Sequence, residues 1–170
     1  MKNLYFITIQ LFKKKKGETG NDKESCLLSE EILFQCLNDI EKKLNPIKRV
    51  QIKNEQSNVK LNEYYLVTIA KELIENALKF SDENSAVKVE GRIEQGIYRL
   101  QVTDFGRGIS ERDVNLINAF EKFGKQQFSE PGFGLGLTIV KKIIKLQNCE
   151  FLITSEIDKN TICEVFIPIN

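Results

Sequence analysis

The 170 residues contain no histidine and no tryptophan, one methionine and three prolines. The missing imidazole has the largest consequence. It excludes, within this chain, a histidine base, a histidine metal ligand and a histidine phosphoacceptor. A dominant charge is missing too: 25 Lys+Arg against 24 Asp+Glu leave a net +1, without the basic excess of a dedicated nucleic-acid binder. No apolar run approaches the ~18 residues that a membrane helix needs, and a cytoplasmic location is expected. Cys26, Cys36, Cys149 and Cys163 form no CxxC pair. They read as reduced, partly buried thiols rather than a disulfide frame or a zinc site.

What is present is an ordinary globular balance, 41% hydrophobic and 29% charged, and a length that suits one domain. Residues 1–25 stand apart. Leu4–Ile9 is a β-prone apolar run, followed by Lys13–Lys16 and a polar stretch. The segment reads as a linker or edge strand plus a basic, solvated tail, and residues 26–170 as the functional domain. Ser29–Lys43 has helical spacing of Ile32, Leu33, Cys36, Leu37 and Ile40, with Ser29 as cap and Pro46 as stop. Arg49–Lys53 and Asn58–Leu61 read as strands. A long helix is expected over Glu63–Phe80, with apolar Leu66, Ile69, Ala70, Leu73 and Ala77 on one face and Glu72, Asn76 and Lys79 on another. Val87–Glu94 and Ile97–Thr103 flank the turn Gln95-Gly96. Helices over Glu111–Ala119 and Leu135–Gln147 and strands over Phe151–Glu156 and Thr161–Pro168 complete the pattern. That order predicts an α+β fold, a two-layer sandwich with helices on one face of a mixed β-sheet.

Three segments carry chemistry. Pro131–Leu137 (PGFGLGL) places Gly132, Gly134 and Gly136 before an amphipathic helix, where backbone N–H groups and the helix dipole can receive phosphate; such runs also occur in plain turns. Asp104–Ser110 (DFGRGIS) ends a strand. An ionised carboxylate only accepts hydrogen bonds, so it suits an exocyclic amine such as that of adenine, although an exposed β-turn has the same letters. In Lys71–Ser81 (KELIENALKFS), Asn76 offers a neutral oxygen of the kind Mg²⁺ takes beside phosphate oxygens. Lys79 offers a point charge for phosphate. The bland alternative is a polar helix face. Twenty-eight positions separate Asn76 from Asp104, and 28 separate Asp104 from Gly132. A metal ligand, an adenine acceptor and a phosphate cradle thus follow in order.

With these segments in that order, the sequence resembles the ATP-binding catalytic domain of sensor histidine kinases, within the GHKL ATPase superfamily. KELIENALKFS resembles its asparagine box, Val102–Ser110 its first glycine box, Ala119–Lys125 (AFEKFGK) its phenylalanine box and Pro131–Leu146 its second glycine box. Asn160–Pro168 resembles its last strand. The resemblance implies the Bergerat-type fold, ATP and Mg²⁺ as ligands, Asn76 on the metal and Lys79 on phosphate. It implies Phe80, Ile109, Phe123, Phe133, Leu135 and Leu137 beside the nucleotide and Asp104 on the adenine amine. Gly106 and Gly108 would lie beneath the ring, Gly132, Gly134 and Gly136 would face phosphate, and Thr161 would lie near adenine. Phe120–Pro131 would form a mobile lid.

The departures are informative. Phe105 stands where the family usually has Asn, Gln147-Asn148-Cys149 replaces a common His-Gly-Gly, and Asn160 replaces a common Gly. Residues 1–25 are too short for the helical hairpin that carries the phosphoaccepting histidine. The resemblance therefore implies transfer of the γ-phosphoryl group to a histidine on another domain or protein. It also implies a response regulator downstream and dimerisation, if any, through regions outside this domain. Glu72 lies where related ATPases and serine kinases place a general base. A serine kinase or slow ATPase using Glu72 is thus one alternative, and a non-catalytic nucleotide-sensing module is another.

Overall fold

The computed structural model describes residues 25–40, 42–119 and 135–169. Strands β1 (Cys26–Leu28), β2 (Val50–Asn54), β3 (Ser57–Val59), β4 (Val87–Glu94), β5 (Ile97–Asp104), β6 (Glu150–Glu156) and β7 (Asn160–Pro168) alternate with helices α1 (Glu30–Asn38), α2 (Pro46–Arg49), α3 (Glu63–Phe80), α4 (Glu111–Ala119) and α5 (Leu135–Leu146). Residues 1–24 and 120–134 lie outside the described residues. So, therefore, do the expected tail, Phe123, the lid, and Gly132, Phe133 and Gly134.

Five strands form one mixed sheet in the order β2-β4-β5-β7-β6. β2 runs parallel to β4, and the other pairs are antiparallel. The parallel pair needs a crossover, which β3 and α3 provide. Alternation does the rest. Val87, Val89, Tyr98, Leu100, Val102, Ile153, Val165 and Ile167 are buried on one face, while Arg99, Gln101 and Glu164 lie on the other. There Arg99 Nε donates to Glu164 at 2.6 Å. The buried face packs under α3 and α5, whose apolar stripes include Leu66, Ile69, Leu73, Val140 and Ile143. This is the expected α+β sandwich.

α3 begins and ends where its periodicity predicts. Asn62 caps it by accepting from the Tyr64 N–H at 2.9 Å. Other boundaries differ. α1 ends at Asn38, not Lys43, and the chain re-forms a separate 3₁₀ turn at Lys42–Leu44. Ser29 occupies its N-cap position but makes no side-chain cap bond. Pro46 does not simply stop a helix; it opens α2 at a first-turn position, where its missing N–H costs nothing. β1 was not expected. It pairs with β3 in a two-stranded sheet, too short to show a period. In β4, a Cβ on Gly91 would lie 1.9 Å from the Tyr98 hydroxyl and 2.2 Å from Asn54 Oδ1. Only glycine leaves room for the buried Tyr98–Asn54 hydrogen bond there. All four cysteines are free thiols.

Candidate functional site

A pocket opens between the layers where α3 and α5 meet the ends of β5 and β7. Leu73, Asn76, Ala77 and Phe80 line it from α3, Val102 and Asp104 from β5, and Ile109 from the loop after β5. Leu137 comes from α5, Ile153 from β6, and Thr161 and Cys163 from β7. Its walls are apolar with a few convergent polar groups, the usual make-up of a small-molecule site.

Asp104 is the polar group at the base, 5% exposed. It pairs across the ladder with Thr161, whose hydroxyl hydrogen-bonds its carboxylate. The Gly106 N–H donates to its Oδ1 at 3.1 Å. Burial outweighs these two bonds and pushes its pKa from 3.8 up to about 6. Both neighbours are fixed in turn. The Ser155 hydroxyl donates to the Asn160 carbonyl at 2.6 Å, accepts from the Ile109 N–H at 2.9 Å and lies 3.2 Å from Thr161 Oγ1. One serine on β6 therefore ties the loop after β5 to the start of β7.

The glycines of that loop meet protein backbone. A Cβ on Gly106 would lie 2.2 Å from the Phe80 carbonyl oxygen, and Gly106 forms a β-bridge with Ser81. Gly108, at φ +70, sits against the Glu156 carbonyl at 2.4 Å from a hypothetical Cβ, where other residues are strained. Close packing against the end of α3 and the β6–β7 turn thus accounts for both.

On α3, Asn76 faces the pocket and Phe80 lines its rim, with the Arg107 guanidinium 5.2 Å from the Phe80 ring centre. Lys79 is paired with Glu75 at 2.7 Å on the exposed side. Glu72 is half-buried; desolvation, then the nearby Glu75, raises its pKa. A Cβ on Gly136 would lie 2.4 Å from Glu72 Oε2 and 3.7 Å from Asn76 Nδ2. Gly136 thus lets the first turn of α5 seat directly on the part of α3 that carries both side chains. The structure gathers Asn76, Phe80, Asp104, Ile109, Leu137 and Thr161 around one pocket, with Glu72 and Gly136 adjoining it. Leu135 begins α5.

Sequence reasoning missed Cys163, Ile153, Val102, Ala77 and Leu73 as walls; each reads locally as core, and only strand register shows which core residues border the opening. It also missed Ser155, a lone polar residue at a core-facing strand position, which was the available signal.

Residues 62–170 match the family described as "Histidine kinase-, DNA gyrase B-, and HSP90-like ATPase", and the chain belongs to that family. Over 92 residues it is 38% identical to the signal transduction histidine-protein kinase ArlS of Staphylococcus aureus (strain USA300), a match covering 52% of this chain and 20% of that protein. The mycobacterial sensor histidine kinase MprB superposes with a TM-score of 0.70 at 22% identity, over 86% of this chain and 99% of that one. The Acinetobacter baumannii histidine kinase AdeS gives 0.71 at 18%, over 99% and 78%.

Proposed function

We propose that the chain is the ATP–Mg²⁺-binding catalytic domain of a two-component sensor histidine kinase, acting in the cytoplasm. It hands the γ-phosphoryl group of ATP to a histidine on another domain or protein, which passes it to a response regulator. Dimerisation, where it occurs, runs through regions outside this domain. The observation that carries the reading is the buried, hydrogen-bonded Asp104 at the base of an apolar interlayer pocket, with Asn76 on its wall. Asp104 in its ionised form accepts from the adenine amine, and Thr161 flanks it. Ile109, Leu137 and Phe80 enclose the ring.

The donor set fits a hard cation. Asn76, half-buried beside the start of α5, carries a neutral amide oxygen of the kind such a cation takes, and phosphate oxygens and water would fill the remaining positions. Bound Mg²⁺ supplies charge neutralisation on the phosphates. Lys79 adds its positive charge by turning from Glu75, and Gly136 with Gly132 and Gly134 supplies backbone N–H groups. Because phosphoryl transfer needs positioning more than covalent chemistry from the protein, the chain requires no nucleophile of its own.

Calorimetric titration with a non-hydrolysable ATP analogue tests this. Binding that Asp104→Ala abolishes and that weakens without Mg²⁺ is the expected result; a folded chain that does not bind refutes it.

Glu72 favours a second reading, a serine kinase or slow ATPase. Its raised pKa and its place beside Asn76 and Gly136 suit a base that takes a proton from water or a hydroxyl. Glu72→Gln separates the two: it stops hydrolysis without changing affinity if Glu72 is the base, and leaves hydrolysis intact if it is not.

A further inference from the structure

Arg49 belongs to none of the sequence motifs, yet it is 7% exposed. It closes α2, and its guanidinium spreads over the far end of α3. Nη1 donates to the Leu78 carbonyl at 3.1 Å, and Nε to the Ser85 carbonyl at 3.2 Å. Nη2 donates to the Asp82 carbonyl at 2.8 Å, the Ser81 hydroxyl at 2.6 Å and, more weakly, the Ser81 carbonyl at 3.4 Å. The Leu78 carbonyl is one that the last turn of α3 leaves without a helical partner, Ser81 is its C-cap, and Asp82 and Ser85 belong to the loop that follows; a cation from 29 to 36 residues away ties helix end and loop together. A planar fork with five N–H donors can do this; an ammonium on a flexible stem cannot.

Ser81 is the link to the pocket. Its hydroxyl also donates to the Ala77 carbonyl at 2.5 Å. Its backbone bridges Gly106, which packs so closely on Phe80 that no Cβ fits. The Gly106 N–H donates to Asp104. An unbroken run of contacts therefore leads from Arg49 through Ser81 and Gly106 to the Asp104 carboxylate, while the same clamp fixes the helix end that bears Asn76 and Phe80.

We propose that Arg49 is a positioning residue for nucleotide binding: it locks the end of α3 to the loop after β5 and so sets Asp104 and Asn76 at one fixed separation. The inference rests on the nucleotide-binding reading above for its effect on affinity, but not for its effect on the junction.

The test compares Arg49→Lys and Ser81→Ala with Leu33→Ala, a core truncation in α1. Two quantities are measured beside the melting temperature: affinity for a non-hydrolysable ATP analogue, and hydrogen-exchange protection of the Gly106 amide. Arg49→Lys is expected to weaken binding about tenfold and to strip Gly106 of its protection. Ser81→Ala, which keeps the fold if Arg49→Lys does not, should give a smaller change of the same kind. Leu33→Ala should lower the melting temperature and alter neither. Arg49 or Ser81 variants that melt earlier but keep wild-type affinity and Gly106 protection would overturn the proposal and leave Arg49 as a helix cap alone. If the unmutated chain binds no nucleotide, the functional reading has failed, and Gly106 protection by itself decides whether Arg49 governs the junction.

Discussion

At the scale of single residues, Asp104 couples ligand chemistry to stability. Its carboxyl ionises near 3.8 when unfolded and near 6 in the fold. Between those values the folded state holds a proton that the unfolded state has released. Stability therefore falls as pH rises from about 4 to about 6 and carries the full penalty above that. The displacement corresponds to roughly 2–3 kcal/mol at about 1.4 kcal/mol per pH unit. Asp104→Asn should consequently melt several degrees higher than the parent at pH 7.5, with the difference closing near pH 4, in paired thermal scans. Ligand binding runs the other way. The ionised group is the stronger acceptor for an amine, so affinity for an ATP analogue should decline as pH drops through 6, and titrations at pH 5 and pH 8 would show it. Gly91 gives a residue-scale prediction about the fold alone. Gly91→Ala drives a methyl into the Tyr98 hydroxyl and Asn54 and should cost about 1–3 kcal/mol in urea unfolding. Affinity per folded molecule should stay unchanged.

At the scale of elements, α3 is the piece on which everything converges, and its two ends are held differently. The start is capped by Asn62, whose side chain accepts from the Tyr64 N–H. Asn62→Ala should lower stability by about 1 kcal/mol without touching nucleotide affinity, because the start of α3 contributes no pocket wall. The end depends on a clamp from a distant part of the chain. This contrast also explains what the sequence made legible. The bounds of α3, the register-defining turn at Gln95-Gly96 and the alternation along β4 and β5 are local patterns, so they could be read directly. That Asn76, Asp104 and Thr161 border one pocket could be expected, the first two from motif spacing and Thr161 from the family resemblance. Arg49 could not: it reads as the first residue of a strand, whereas it closes α2, and its side-chain partners lie 29 or more residues away. For Lys79 the sequence offers two readings, a phosphate contact and a polar helix face, and the structure shows it paired with Glu75 one turn back. The expected end of α1 at Lys43 missed the break after Asn38, because Leu44 keeps the helical spacing and packs on the core from a separate 3₁₀ turn.

At the scale of the whole molecule, the absence of histidine makes a sharp prediction. Incubated with ATP labelled at the γ position, the chain alone should acquire no acid-labile, alkali-stable label. A histidine-bearing helical hairpin supplied separately should acquire it, and only when Mg²⁺ is present. Label appearing on this chain at a serine would instead favour the Glu72 reading.

The pocket is walled by both layers at once, with α3 and α5 on one side and β5, β6 and β7 on the other. A molecule seated there is a wedge mortared between helices and sheet, and it cannot survive their separation. Occupancy at a hundred times the dissociation constant would add about 2.7 kcal/mol to the folded state. For a marginally stable domain, such a gain changes how long the chain escapes proteases. If that molecule is the nucleotide proposed above, resistance of the chain to proteolysis should rise with nucleotide concentration.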